Sequence, residues 1–223
     1  MTEQARAVPA DGPGEALPGR QGQARRNDAL ILEAAREVFL NDPKAPVAAV
    51  AEHAGVGISA LYRRYPSKED LLRRLCHDGL RRFIAEAEAA AAEPGAWRAL
   101  ARFLERVVDA DVHSLTVHLA GTFTPTPEMS DDARRAGALA AGLVERAQAA
   151  GCLRRDVVPA DLDLVLEGCA AIRLPDPART GELRRRYLRL LLDGLAASPG
   201  TAPRPPLPGP PPGGELNWRW QRA

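Results

Sequence analysis

An all-α fold follows from three features of the sequence. Aromatic residues make up only 4% of the 223 residues, while Ala, Leu and Arg abound, a bias that opposes β-structure and favours helix. Apolar residues recur three and four apart through most of the chain, the spacing of one helical face. The period-two alternation of a half-buried strand appears nowhere. With 45% hydrophobic and 26% charged residues, the composition is that of a soluble globular chain able to bury a core.

Residues 1–24 are rich in Gly, Pro and Ala, have no apolar core, and read as a disordered leader rather than a signal peptide. The first helix is expected from Arg25, with Leu30, Ile31, Ala34, Val38 and Phe39 on one face, a cap at Asn27 or Asp28, and a stop at Asn41-Asp42-Pro43. A short helix fits Val47–Ala54 and a second fits Ile58–Tyr65. Between them Gly55 stands where a chain must reverse, and glycine takes the left-handed conformation there at little cost. Pro66 ends the third helix. Ser67 caps a long fourth helix, with Glu69 and Asp70 in its first turn and a stripe from Leu72 through Leu75, Cys76, Gly79, Phe83 and Ile84 to Ala87. It ends near residue 92, before Glu93-Pro94-Gly95.

Further helices are expected around Trp97–Val108 and Val112–Ala120. A loop spans Gly121–Met129, and a helix capped by Ser130 runs to Ala150, where Gly151 closes it. Pro159 opens a helix over Asp161–Arg173, and the last helix covers Gly181–Ala197. Residues 198–223 form a Pro- and Gly-rich tail, flexible in expectation, that ends in an amphipathic stretch with Trp218 and Trp220.

Charge is unevenly spread. Residues 25–82 carry 11 Lys+Arg against 8 Asp+Glu, a net of +3; residues 83–197 carry 14 against 17, a net of −3. A basic N-terminal unit suits an anionic partner. The overall net charge of +1 excludes a polycation that coats nucleic acid by charge alone. No apolar run reaches the length of a membrane span, so no membrane partner is expected. Cys76, Cys152 and Cys169 are too few and scattered for a disulfide framework, which favours a cytoplasmic location. His113 and His118 lie five apart, off the spacing that shares a helical face, and no Cys/His cluster has ligand spacing; neither metal nor cofactor is expected. No HExxH or Gly-rich phosphate loop is present, so the chain does not read as an enzyme.

The informative stretch is Pro46–Lys68. Two short helices joined by Ala54-Gly55-Val56-Gly57 make a helix-turn-helix. The second helix has a buried edge of Leu61, Tyr62 and Tyr65 and a free edge of Ile58, Ser59, Ala60, Arg63 and Arg64. Small residues at its start allow close approach to base edges, and the arginines reach flanking phosphates. Lys68, in the first turn of the next helix, adds a cation beside free backbone N–H groups.

Arg26–Leu72 resembles the DNA-binding domain of the TetR family of bacterial transcriptional regulators. The resemblance rests on Ala54-Gly55-Val56, Leu61-Tyr62, the aromatic Tyr65 and Ser67-Lys68-Glu69. It covers about a fifth of the chain; the helical remainder matches in architecture only. It implies a homodimer on double-stranded operator DNA, with the two recognition helices in successive major grooves. Gly57, Ile58, Ser59 and Ala60 sit where the family reads bases; Arg26, Tyr62, Arg63, Arg64 and Lys68 sit at or near phosphate positions. It also implies a helical body over 93–197 that dimerises through its last two helices and holds an unknown small-molecule effector. Three positions depart from the pattern: Pro46-Val47 and Gly57 stand where Thr and Ser are common, and Ala60 replaces Thr or Ser. With Ile58 and Ala60 apolar, readout leans on thymine methyl groups.

Candidates for the effector pocket are Trp97, Phe103, His118, Phe123 and Met129. Candidates for the dimer interface are Leu162, Leu166, Cys169, Leu183, Tyr187, Leu190 and Leu191, two apolar stripes fit for an intermolecular four-helix bundle. The functional expectation is a repressor released by its effector. The alternative is a helix-turn-helix DNA binder without a small-molecule ligand, using its C-terminal domain to dimerise or recruit a protein.

Overall fold

The computed structural model describes residues 18–197 and 205–212. Trp218 and Trp220 lie outside the described residues. Within them the chain forms α1 (Pro18–Asn41), α2 (Val47–His53), α3 (Ile58–Arg64), α4 (Lys68–Ala91), α5 (Ala96–Asp109), α6 (Val112–Leu119), α7 (Pro127–Ala149), α8 (Pro159–Ala171) and α9 (Pro177–Leu195). Among the described residues the only β-type pairing is an isolated bridge between Leu153 and Ala196. The all-α expectation holds.

Several boundaries differ from the sequence reading, each for a local reason. Helix α1 starts at Pro18, inside the expected leader, so Asp28 lies mid-helix rather than at a cap. Its buried face is Ile31, Ala34, Ala35, Phe39 and Leu40, and Leu30 turns out to solvent. Helix α7 starts at Pro127: the Thr126 side chain accepts from the Met129 N–H at 3.2 Å, while Ser130 sits inside the helix and donates to Thr126 O. Helix α9 starts at Pro177 under a cap from Asp176, whose Oδ1 accepts from the Ala178 N–H at 2.9 Å. In both, a capping residue followed by proline opens the helix, since proline at the first turn forfeits no hydrogen bond. The tail is not wholly loose: Arg154 donates to Pro205 O and the Leu207 N–H donates to Asp156, each at 2.8 Å.

Two apolar cores form. The first gathers α1, α2, α3 and the start of α4 around Phe39, Val50, Leu61 and Leu72; the second gathers α5, α7, α8 and α9 around Phe103, Leu143 and Leu188. The expected division at residues 92/93 is not where packing divides. Leu115 and Leu119 of α6, with Phe123 and Met129 after them, belong to the first core, and Ala87 and Ala90 of α4 belong to the second. Helices α4 and α6 therefore bridge head and body.

Candidate nucleic-acid interface and ligand cavity

The turn between α2 and α3 is built as its glycine suggests. Gly55 has φ +65, and the Val56 N–H donates back to Ala51 O at 3.0 Å. Helix α3 is only 7 residues long, too short to persist without tertiary support. Two contacts supply it. Leu61 is wholly buried in the head's core. Beside it, Asp28 of α1 accepts from Tyr65 Oη at 2.6 Å and from Arg64 Nε at 2.9 Å on one carboxylate oxygen. The Arg64 hydrogen bond outweighs burial and holds the Asp28 carboxyl below its ordinary range.

This seating leaves a defined outer face. Gly57, Ile58 and Ser59 are exposed, as are Tyr62, Arg63 and Arg64; Ala60 is half-buried. Tyr62, 47% exposed, thus leaves the buried edge expected for it and joins the polar rim. Arg26 is exposed on α1.

Lys68 departs from the phosphate seat expected of it. Its ammonium donates to Pro43 O at 2.9 Å and Ala45 O at 2.7 Å, and lies 5.0 Å from the centroid of the Phe39 ring. Burial lowers its pKa. The carbonyls of the α1–α2 connection need a donor, and Lys68 supplies it. The cation therefore secures the head's own loop. At the start of α4 the expected cap is present: the Asp70 N–H donates to Ser67 Oγ at 3.0 Å.

A cavity of about 520 Å³ opens between α4, α6, α7 and α8. Of the five residues expected to line it, Met129 does. Phe103 is fully buried in the body's core, edge-on to Phe83 with centroids 5.0 Å apart, and Phe123 is buried in the head's core. Trp97 packs half-buried against the body's core. His118 turns Nδ1 to Ser114 O at 2.8 Å, away from the lining. Large aromatics went to solid packing because burying them whole is worth more than leaving one side against a void. The lining found instead includes Phe83, Val112, His113, Asp163 and Glu167. The one signal that pointed here is the pair Asp163 and Glu167, one turn apart on α8.

The expected dimer stripe splits. Leu162, Leu166 and Cys169 are buried inside the protomer and are spent on its own core. Leu183 and Leu191 are half-buried. Tyr187 is 36% and Leu190 63% exposed on α9, joined by Leu164 at 46% on α8. The two helices meet closely at Gly168, where an added Cβ would lie 3.0 Å from the Tyr187 ring. Burial pushes the thiols of Cys76 and Cys169 up to about 12 and about 11, so both act as small apolar groups. No cluster fit for a metal ion occurs among the described residues. No helix among them is long and apolar enough to cross a membrane.

Comparison with known proteins agrees with this geometry. Residues 31–75 match the family model of bacterial regulatory proteins of the tetR family. Residues 93–197 match the model of the C-terminal domain of SbtR-like transcriptional regulators. The chain is 33% identical over 112 residues to the HTH-type transcriptional repressor LfrR of Mycolicibacterium smegmatis, an overlap of 49% of this chain and 58% of that protein. A TetR transcriptional regulator of Streptomyces coelicolor superposes with a TM-score of 0.55 at 27% identity, covering 77% of this chain and 99% of its own. A TetR regulatory protein of Mycobacterium vanbaalenii gives 0.53 at 27% identity, covering 80% and 99%. With a family helix-turn-helix clamped onto α1 and a matching helical body behind it, the chain belongs to the TetR family of bacterial regulatory proteins.

Proposed function

We propose that the protein is a sequence-specific transcriptional regulator, a repressor that leaves its operator when a small molecule fills the cavity between α4, α6, α7 and α8. The observation that carries this reading is the outer face of α3. A helix of 7 residues holds its small and cationic side chains to solvent because Asp28, Tyr65 and Leu61 pin its other side. Gly57, Ile58, Ser59 and Ala60 enter the major groove, and Arg26, Tyr62, Arg63 and Arg64 hold the phosphates beside it. The protein acts in the cytoplasm as a homodimer, joined through the exposed apolar faces of α8 and α9 at Leu164, Tyr187 and Leu190.

The cavity favours an effector over the ligand-free alternative. Its volume of about 520 Å³ suits a drug-sized molecule. Two of its walls, α4 and α6, also pack into the head. A ligand that spreads α4 from α7 pulls on Lys68 and on Leu115, and so changes the separation of the two α3 helices in the dimer.

The test is selection of bound genomic fragments at moderate salt by wild type and by Tyr62→Ala/Arg63→Ala. Arg64 is left in place because it also braces Asp28. Enrichment of a few near-palindromic sites by wild type alone supports the proposal. No enrichment even at low salt, where phosphate contacts are strongest, refutes it.

A further inference from the structure

Charge on the last two helices is divided by helix. Helix α8 carries Asp161, Asp163 and Glu167 and no Lys or Arg. Helix α9 carries five arginines against Glu182 and Asp193. Most of these groups are already used within the protomer. Asp161 caps α8 by accepting from the Val158 N–H at 2.7 Å, and Glu167 is likewise engaged. Arg184 is buried on Asp111. Arg179 pairs with Glu182, Arg185 with Asp109 and Arg189 with Asp193. Asp163 and Arg186 remain: both are exposed, and neither makes an ion pair or hydrogen bond among the described residues.

These two charges stand at opposite edges of the exposed apolar face. Asp163 lies on the side of α8 that borders the cavity. Leu164 follows it outward, then Gly168, against which the Tyr187 ring of α9 packs. The helical step carries the surface on from Tyr187 through Leu190 to Arg186, the edge of α9 away from α8. The face therefore runs from acid through apolar residues to base. A homodimer joins such a face to itself about a two-fold axis. With the axis along the helices, the acidic edge of each protomer lies over the basic edge of the other. With the axis across the helices, acid lies over acid and base over base. Arg173, in the α8–α9 hairpin, donates to Asn41 of α1 at 3.1 Å, so the hairpin marks the head end. The charge-matched axis keeps both heads at one end, where both α3 helices can meet one duplex; the mismatched axis sends them to opposite ends.

Resting on the homodimer reading above, we infer that Asp163 pairs with Arg186 of the partner subunit, twice per dimer, and that this pairing selects the dimer with both heads at one end. Leu164, Tyr187 and Leu190 supply the apolar contact, and the edge charges supply its orientation. An ion pair at a rim adds little affinity of its own. Like charges forced together there cost more, so the two edges act chiefly by rejecting the wrong axis and chains without the matching edge.

Charge reversal on the full chain, read by sedimentation at low ionic strength, tests the pairing. Asp163→Arg sets two cations against each other at each contact, and Arg186→Asp sets two carboxylates. Both positions are exposed, so the fold tolerates either change. Each variant alone is expected to dimerise about tenfold or more weakly than wild type, and added salt narrows the defect. An equimolar mixture of the two is expected to recover the wild-type affinity as a heterodimer, because every contact again holds one acid and one base. That recovery also shows that both variants are folded. Variants that dimerise as wild type does, or a mixture that does not recover, overturn the inference, while a dimeric wild type leaves the homodimer reading standing. A monomeric wild type means that another occupant covers α8 and α9, and both fall together.

Discussion

Asp111 is the residue whose loss the fold should feel most for its size. It has φ 51, left-handed for a non-glycine residue, and it stands at the N-terminus of α6. Its carboxylate meets Arg36 of α1 at 2.7 Å and Arg184 of α9 at 2.5 Å, and accepts from the Ser114 hydroxyl. Burial acts to raise its pKa, but Ser114, Arg184 and Arg36 outweigh it and hold the carboxyl below its ordinary range. Asp111→Asn keeps the shape, and asparagine tolerates the left-handed backbone, so the charge alone is lost. Arg184, 4% exposed, then faces only neutral acceptors, among them Ile172 O at 3.0 Å and Ala170 O at 3.5 Å. Stranding a buried charge costs about 3–5 kcal/mol; with Asp111 itself partly open to water, about 2–3 kcal/mol is the expectation here. For a chain of this size that lowers Tm by about 4–10 °C. The assay is chemical denaturation at fixed protein concentration, since dimerisation enters the apparent stability. Adding Arg184→Met to Asp111→Asn should restore part of the loss, because it removes the stranded cation. A loss under about 0.5 kcal/mol, or a double variant less stable than the single, would refute the reasoning.

Three further outcomes follow from contacts already described. Burial first of all depresses the His113 pKa to about 4, so the folded state binds fewer protons than the unfolded chain between there and the ordinary 6.5. Stability is therefore full above 6.5 and declines as pH falls, by about 2 kcal/mol at pH 5, and His113→Gln should flatten that slope in urea midpoints; parallel curves would contradict it. Lys68→Met should lower Tm by severing its two carbonyl contacts while leaving the salt slope of DNA binding unchanged, whereas Arg63→Ala, which removes one contact from each protomer, should reduce that slope by about 1.8 per dimer and spare Tm. Tyr187→Glu/Leu190→Glu should yield a folded monomer by sedimentation, with operator affinity falling in step; an intact dimer would place the interface elsewhere.

What the sequence made legible was local. The α2–α3 turn needs a left-handed residue and has Gly55; α4 needs a cap and has Ser67; the stripe Leu72–Leu75–Cys76–Gly79 needs only its own period. What escaped depends on partners far along the chain. Asp28 looks like a cap until Arg64 and Tyr65 arrive beside it. Lys68 looks like a phosphate ligand until the carbonyls of Pro43 and Ala45 close on it. At α7 and α9 two adjacent readings competed, and the pair Thr126-Pro127 prevailed over Ser130 because proline fixes the backbone earlier. The cavity was least legible: it is the space left by four helices, and the aromatics nominated for it filled solid core instead.

The sharing of α6 between the two cores bears on how such regulators can be recombined. A chimera cut at residue 92 transplants a head without Leu115, Leu119, Phe123 and Met129, and exposes the apolar surface that they cover. The unit that can be moved intact is therefore discontinuous, the first four helices plus the segment from α6 into α7. Within one chain, new operator specificity arises more cheaply by changing the outward residues of α3 other than Arg64, which braces Asp28, than by exchanging the head.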